Sequence, residues 1–128
     1  MRKMIVLGIV ALAAATLAGA PAAFADDGDA VIKRGKCTGS STWKLKAKMD
    51  DGRIETEFEV DQNRVGRRWR VLLGRDGAVV FRGIRRTRPP SGSFEVRRLI
   101  RNTAGPDRIV ATARALAGGE FCRGTVTI

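Results

Sequence analysis

Two consecutive runs of alternating residues constrain the fold of this chain more than any other feature. In STWKLKAKMD, residues 41–50, apolar residues share one face of an extended strand and lysines share the other. In RIETEFEVD, residues 53–61, the pattern repeats with glutamates in place of the lysines. Asp51-Gly52 between the runs is a signal for a two-residue hairpin loop. The sequence therefore predicts an antiparallel hairpin with one apolar face.

The register of this hairpin follows from two independent patterns. If Asp51-Gly52 is the loop, the numbers of opposed residues sum to 51 + 52 = 103, which places Lys46 opposite Glu57. The same register places Leu45 opposite Phe58 on the apolar face. A shift of one residue would lose both the charge pairs and the apolar pairs, so a single register is predicted.

A second hairpin is predicted around Gly74–Gly77. A type I turn followed by a left-handed glycine gives a three-residue loop, for which opposed residue numbers sum to 74 + 78 = 152. This register places Val71 opposite Phe81 on an apolar face. On the other face it places Arg70 directly opposite Arg82, a pair of like charges.

The rest of the chain adds short strand candidates separated by turn signals. The alanine-rich run 108–116 is the one place where a helix competes with a strand. With the two hairpins the chain has about eight strands, whose spacing is typical of an all-β fold. We expect a single antiparallel β-sandwich of the immunoglobulin-like kind, or a barrel, of about 7–8 strands. The further candidates are Ala30–Cys37, Ser93–Asn102, Arg108–Leu116 and Phe121–Ile128.

The N-terminal residues predict export from the cytoplasm. Met1-Arg2-Lys3 is basic, residues 5–18 are apolar, and Ala23-Phe24-Ala25 has the small-x-small pattern of a signal-peptidase site. We expect a helical signal peptide over residues 1–25, cleaved after Ala25, and one secreted domain over residues 26–128. The apolar run is shorter than the roughly 20 residues that span a bilayer, so no transmembrane anchor is expected after cleavage.

The two cysteines, Cys37 and Cys122, predict a disulfide bond in an oxidising compartment. The bond would close a loop of 122 − 37 = 85 positions. In the chain-entropy account such a loop contributes on the order of 4–5 kcal/mol to stability. A reactive thiol or a metal site is the alternative, but the chain has no histidine and no second CxxC pair, so no metal site is expected.

The residue inventory argues against catalysis. Without histidine the chain cannot form a Ser/His or Cys/His nucleophile, and it also lacks tyrosine. Glu55, Glu57 and Glu59 face three lysines across the first hairpin, so a solvated ladder of charges explains them better than a pair of glycosidase carboxylates. We expect a protein that is not an enzyme, with no catalytic residues and no cofactor.

The closing stretch GSFEVRRLIRNTAGPDRIVATARALAGGEFCRGTVTI, residues 92–128, carries a resemblance. It resembles the last three strands of bacterial immunoglobulin-like or fibronectin-type sandwiches, and the whole chain resembles small exported bacterial proteins without an assigned function. The resemblance implies the sandwich fold and assigns no site residue. Cys37 and Cys122 would join the first and last strands, whereas antibody domains join two central strands.

Arginine is concentrated in one part of the chain. Residues 62–101 hold 12 arginines and two acids, a net charge of 12 − 2 = +10, whereas the rest of the chain after Ala25 holds ten bases and eleven acids. We expect low-specificity binding of an anionic cell-envelope polymer. No aromatic stacking platform is evident, so specific nucleic-acid binding is not expected. The candidate anion-binding residues are Arg68, Arg70, Arg82, Arg85, Arg86 and Arg88.

Two alternatives stay open. The arginines can reflect compositional bias on an ordinary solvated sheet, without any ligand. Alternatively, the segment Arg85–Ser91, read as an exposed and proline-stiffened loop, could be recognised by another protein, either as a protease-inhibitor-like loop or as a cleavage site. The sequence identifies neither the ligand nor the oligomeric state.

Overall fold

The protein is a two-sheet β-sandwich. The computed structural model describes residues 29–128, and the predicted signal peptide lies outside them. Within this range no helix is long and apolar enough to span a bilayer. The strands are β1 (Val31–Lys36), β2 (Thr42–Asp50), β3 (Arg53–Asp61), β4 (Arg68–Arg75), β5 (Ala78–Arg86), β6 (Ser93–Arg101), β7 (Arg108–Ala115) and β8 (Phe121–Thr127).

The strands form two separate four-stranded antiparallel sheets. The first has the order β1-β2-β3-β6 and the second the order β5-β4-β7-β8. The prediction of an all-β fold with about eight strands is confirmed, and of the two predicted architectures the sandwich is correct. The alanine-rich run is strand β7, because its alternate residues Ile109, Ala111 and Ala113 are buried between the sheets.

The core lies between the inner faces of the two sheets. Trp69 is its largest fully buried side chain and lies against Phe94, with ring centroids 6.1 Å apart. The indole N–H of Trp69 donates a hydrogen bond of 2.9 Å to Oε1 of Gln62, so its polar group is satisfied. The other buried apolar residues include Leu45, Ile54, Phe58, Val60, Val71, Leu73, Val96, Ile109 and Val126.

The first hairpin has the predicted register. Lys46 lies opposite Glu57 and Leu45 opposite Phe58. The loop residues Asp51 and Gly52 both have positive φ, 48° and 75°, as a type I′ turn requires. On the far side of β3, Arg97 of β6 forms an ion pair with Glu55, and its Nε lies 3.6 Å from Glu57. Glu55 and Glu57 therefore have cationic neighbours on both sides.

The second hairpin corrects the prediction. Its loop has two residues, Asp76 and Gly77, with φ of 49° and 84°. Gly74 pairs with Val79 but Leu73 pairs with Phe81, so Val80 is an extra, bulged residue on β5. The predicted sum of 152 is therefore wrong.

This change of register separates the expected pair of like charges. Arg82 lies opposite Leu72, and Arg70 lies opposite Ile84. The turn that sets the register is held from outside the hairpin, because the backbone N–H of Arg108 donates to Oδ1 of Asp76 at 2.8 Å. The sequence of the hairpin alone does not contain this constraint.

The predicted disulfide is confirmed and ties the two sheets together at one edge. Cys37 follows β1 and Cys122 lies in β8, with Cα atoms 4.3 Å apart. The loop after Cys37 is further fixed by Ser41, whose N–H and hydroxyl both donate to the carboxylate of Glu120. A disulfide indicates that the protein matures in an oxidising environment.

Trp43 depends on two glycines beside the disulfide. A Cβ atom at Gly35 would lie 2.6 Å from the indole ring, and one at Gly124 would lie 2.5 Å from it. Real Cβ atoms do not approach so closely, so the half-buried indole needs bare backbone on both strands. Gly74, a strand glycine in the same sheet as Gly124, has no neighbour of its Cβ position closer than 3.5 Å.

The first prediction tests the hairpin register. Glu57→Lys places a lysine opposite Lys46 and beside Arg97, and we expect a loss of under about 1 kcal/mol because the sites are near solvent. Adding Lys46→Glu should recover most of this loss in a denaturant double-mutant cycle. A cycle without coupling would contradict the pairing.

The second prediction tests the packing of Trp43. Gly124→Ala should cost about 1–3 kcal/mol, because the added methyl group displaces the indole ring. The matched control is Gly74→Ala, which meets only ordinary van der Waals distances and should change the free energy of unfolding by under about 1 kcal/mol. Equal losses of stability in both variants would show that contact with the indole ring of Trp43 is not the cause of the loss.

Candidate functional site

The outer face of the second sheet is cationic. Alternation with buried core residues places seven exposed arginines on it, and we call this surface the arginine face. Among residues 29–128 no aspartate or glutamate lies on this face, and none of its arginines pairs with a carboxylate. Its members are Arg68, Arg70, Arg82, Arg86, Arg108, Arg114 and Arg123.

Two pairs of these arginines lie directly opposite each other across strand boundaries. Arg68 faces Arg86 across β4 and β5, and Arg70 faces Arg114 across β4 and β7. Like charges in such positions destabilise a sheet by a few tenths of a kcal/mol per pair. Binding of an anion over the face would relieve this cost.

Apolar side chains lie between the arginines. Val79 and Ile84 are 51% and 46% exposed on the edge strand β5. Leu72 and Val110 are half-buried near the centre of the face. The surface therefore combines guanidinium groups with aliphatic patches, which suits a partner that carries both charge and carbon skeleton.

The outer face of the first sheet has a different character. There, the lysines of β2, the glutamates of β3 and Arg97 of β6 alternate in sign. The hydrogen bond to Glu55 raises the pKa of Arg97. Glu95 lies opposite Glu59, and burial raises the pKa of Glu95, with Glu57 and Glu59 raising it further. The cationic excess of the described chain is thus concentrated on one side of the sandwich.

The predicted anion-binding residues divide between two places. Arg68, Arg70, Arg82 and Arg86 lie together on the arginine face. Arg85 faces the opposite way, because it pairs with the buried Trp69.

Arg85 and the sixth candidate, Arg88, belong to the edge between β5 and β6. The guanidinium of Arg85 lies 5.0 Å from the centre of the Phe81 ring, and that of Arg98 lies 4.3 Å from it. Arg88 forms an isolated bridge with Ser93. These two arginines do not extend the arginine face.

Sequence reasoning missed the three arginines that β7 and β8 contribute. Arg108, Arg114 and Arg123 lie outside the arginine-rich segment, and only the alternation of their strands could have indicated their outward direction. Arg114 is fixed there by its stack on Phe121, at 4.7 Å, and by a hydrogen bond to the carbonyl of Gly119.

The segment Arg85–Ser91 is not an exposed loop throughout. Arg85 and Arg86 belong to β5, and Thr87 is buried, with 1% of its surface exposed. The N–H of Thr87 donates to the carbonyl of Arg67, and that of Arg88 donates to the carbonyl of Ser93. Because a protease binds its substrate as a free extended strand, these bonds disfavour cleavage at Arg86-Thr87.

A cleft lies at the corner of the arginine face where β4 begins. It has a volume of about 490 Å³, and we call it the terminal cleft. Three arginines and the turn after β7 line it. Within the described part of the chain no acidic residue lines it. Its residues are Gln62, Arg64, Gly66, Arg67, Arg68, Ala115, Leu116 and Ala117.

The third prediction concerns Glu95. Because its folded-state pKa is raised above the unfolded value, ionisation of Glu95 costs stability as the pH rises through this range. Glu95→Gln should therefore be more stable than the parent protein at about pH 7, and this difference should vanish at about pH 3, where the carboxyl is protonated in both states. Denaturant unfolding at both values measures this, and a stabilisation that does not depend on pH would refute it.

Comparison with protein-family models, curated proteins and solved structures finds no match.

Proposed function

We propose that the protein binds anionic polymers, without catalysis, through the arginine face. The observation that carries the proposal is the sorting of charge: seven arginines share one sheet face on which residues 29–128 place no acid. Compositional bias explains many arginines, but it does not explain why the acids of the strands are confined to the other sheet. Charge complementarity therefore favours a polyanion as the partner.

The chemistry of the face suits repeated anionic groups. A guanidinium binds phosphate, sulfate or carboxylate through two parallel hydrogen bonds, and it is more weakly hydrated than a lysine ammonium. Neighbouring strands are about 4.8 Å apart, and outward residues of one strand about 7 Å apart. Such a lattice offers many equivalent positions to a flexible polymer and reads no sequence in it, so we propose affinity with low specificity.

The proposed partner is a component of the cell envelope. The disulfide supports maturation in an oxidising compartment, and the expected signal peptide would bring the chain there. Anionic wall polymers, acidic polysaccharides and lipid headgroups are the polyanions that an exported protein meets at this location.

The strand order supports the proposed kinship with immunoglobulin-like sandwiches. In those domains strands A, B and E share one sheet, while C, F and G share the other, extended by C′ beside C in the larger variants. Here β2, β3 and β6 correspond to the first group, and β5, β4, β7 and β8 to the second. Strand β1 is an addition, and the disulfide attaches its end to β8.

The fourth prediction is salt-dependent binding of heparin or duplex DNA. If four or five arginines contact a duplex, the slope of log affinity against log salt concentration should be roughly −4, since each neutralised phosphate contributes about −0.9. Replacing Arg70, Arg82 and Arg123 together with serine should make the slope less steep by about 2–3. Fluorescence anisotropy across a series of salt concentrations measures both slopes.

The matched control removes the same charge from the other sheet. Arg34, Arg53 and Arg101 lie on the mixed outer face of the first sheet, and their joint replacement by serine should leave the slope nearly unchanged. Equal effects of the two triple variants would mean that binding depends on the net charge of the protein and not on the arginine face. If the parent protein binds neither polyanion even at low salt, the proposed function is wrong.

A further inference from the structure

The terminal cleft differs from the open arginine face because three arginines line a single concave opening. Arg64, Arg67 and Arg68 line one opening of about 490 Å³, a size typical of small-molecule sites. Within residues 29–128 none of the three guanidinium groups pairs with a carboxylate.

The loop that carries these arginines is held by one buried hydroxyl residue. The hydroxyl of Thr87 accepts a hydrogen bond of 2.9 Å from the N–H of Arg67 and donates one to the carbonyl of Arg64. The backbone of Thr87 adds two more bonds, to Gly66 and Arg67, each of 2.8 Å. The backbone that carries Arg64 and Arg67 is therefore held in place before any ligand arrives, so binding requires ordering of the side chains but not of the loop.

Gln62 adds a neutral donor to the same opening. Its Oε1 accepts the indole N–H of Trp69 at 2.9 Å, which fixes the orientation of the amide group. The amide nitrogen of Gln62, a donor only, is then left for a ligand in the cleft that it lines. Together with the arginines, this gives the cleft four polar side chains that can donate hydrogen bonds to a ligand.

The wall that the end of β7 and its turn contribute is apolar. It consists of Ala115, Leu116 and Ala117, and the side chain of Leu116 is 42% exposed. The N–H of Leu116 bonds the carbonyl of Arg68 at 3.0 Å, which keeps this wall beside the arginines. An anion alone would use the donors but not this wall, so the ligand should have a compact carbon skeleton attached to its charged group.

We propose that the terminal cleft binds a phosphomonoester carried on a sugar or polyol. Three guanidinium groups and no acid favour a dianion over a monoanion, and phosphate accepts paired bonds from arginine. The inference deepens the proposed function, because the cleft opens at a corner of the arginine face and can hold the phosphorylated end of a polymer that runs across the face. The proposal that the cleft binds a small phosphomonoester does not require that the arginine face binds a polymer.

The test uses glycerol 3-phosphate as the probe, glycerol as its uncharged counterpart, and titration followed by NMR chemical shifts. We expect saturable binding of glycerol 3-phosphate with shifts concentrated at residues 62–68 and 115–117, and no saturation with glycerol. Inorganic phosphate should bind more weakly because it lacks the carbon skeleton. The proposal is overturned if glycerol 3-phosphate does not saturate at low salt, or if glycerol binds as well.

Matched variants separate the cleft from the face. Arg64→Ser with Arg67→Ser should weaken glycerol 3-phosphate binding by about tenfold or more, because bonds to charged groups are lost. Arg70→Ser with Arg82→Ser removes the same charge from the open face and should change it by less than about twofold. Equal weakening by the two double variants would overturn the proposal in favour of net charge.

Thr87 is a positioning residue, and its variants test the preformed loop. Thr87→Ser retains the hydroxyl and should retain binding, whereas Thr87→Val removes both side-chain bonds and should weaken binding at unchanged charge. Thermal unfolding checks that both variants fold, and the two arginine pairs remain decisive if the valine variant does not. If the folded valine variant binds as tightly as the parent, the loop is not held by Thr87 as proposed.

The same double variants distinguish failure of the proposal for the terminal cleft from failure of the proposed polymer binding. Heparin binding should be retained when Arg64 and Arg67 are replaced and reduced when Arg70 and Arg82 are replaced. If glycerol 3-phosphate binds but heparin does not, the proposal for the cleft holds and the one for the polymer fails. If heparin binds but glycerol 3-phosphate does not, the proposed polymer binding holds and the proposal for the cleft is overturned.

Discussion

Burial of one face of each sheet against the other is the constraint on which the rest of this molecule depends. Trp69, Val71 and Leu73 of β4 are fully buried, so the residues between them must face solvent. The same parity operates on β7 and β8, where alanines and the disulfide point inward. The arginine face is therefore fixed by the hydrophobic core, since no arginine could turn away without moving a core residue into water.

The two outer faces show opposite ways of arranging charge on a sheet. The first sheet places bases beside acids, and Arg97 completes the pairing for Glu55 and Glu57. The second sheet places Arg70 opposite Arg114 and leaves the repulsion uncompensated within the described chain. The first sheet also has opposed like charges, such as Arg53 and Arg101, but it carries acids as well, whereas the outer face of the second sheet carries no acid among residues 29–128.

The sequence predicts the register of a hairpin only where the residues of that hairpin favour one pairing over the others. In the first hairpin, charge pairs and apolar pairs select the same register, and the loop residues fit a type I′ turn, so the register was predictable. The second hairpin has arginines and aliphatic residues on both strands. A shift of its register exchanges similar residues, so the sequence does not favour one register. Its bulge at Val80 was therefore missed.

The candidate site was predictable only in part for a related reason. Arg68, Arg70, Arg82 and Arg86 share one run of sequence and one face. The terminal cleft, by contrast, brings the segment before β4 to the turn after β7 and depends on the buried hydroxyl of Thr87. Contacts between segments so distant in sequence carry no local periodicity, so only the folded structure reveals them.

The position of β5 has a consequence for how copies of the protein behave together. It is an edge strand with exposed Val79 and Ile84, a combination that favours strand addition between molecules. Arg82 and Arg86 alternate with these aliphatic residues, and the bulge at Val80 interrupts the ladder, so free copies repel one another at this edge. A polyanion that neutralises the two arginines would remove that repulsion while bringing copies side by side. If the proposed polyanion binding holds, crowding on a polymer, more than concentration in solution, is the condition under which this edge would become prone to self-association.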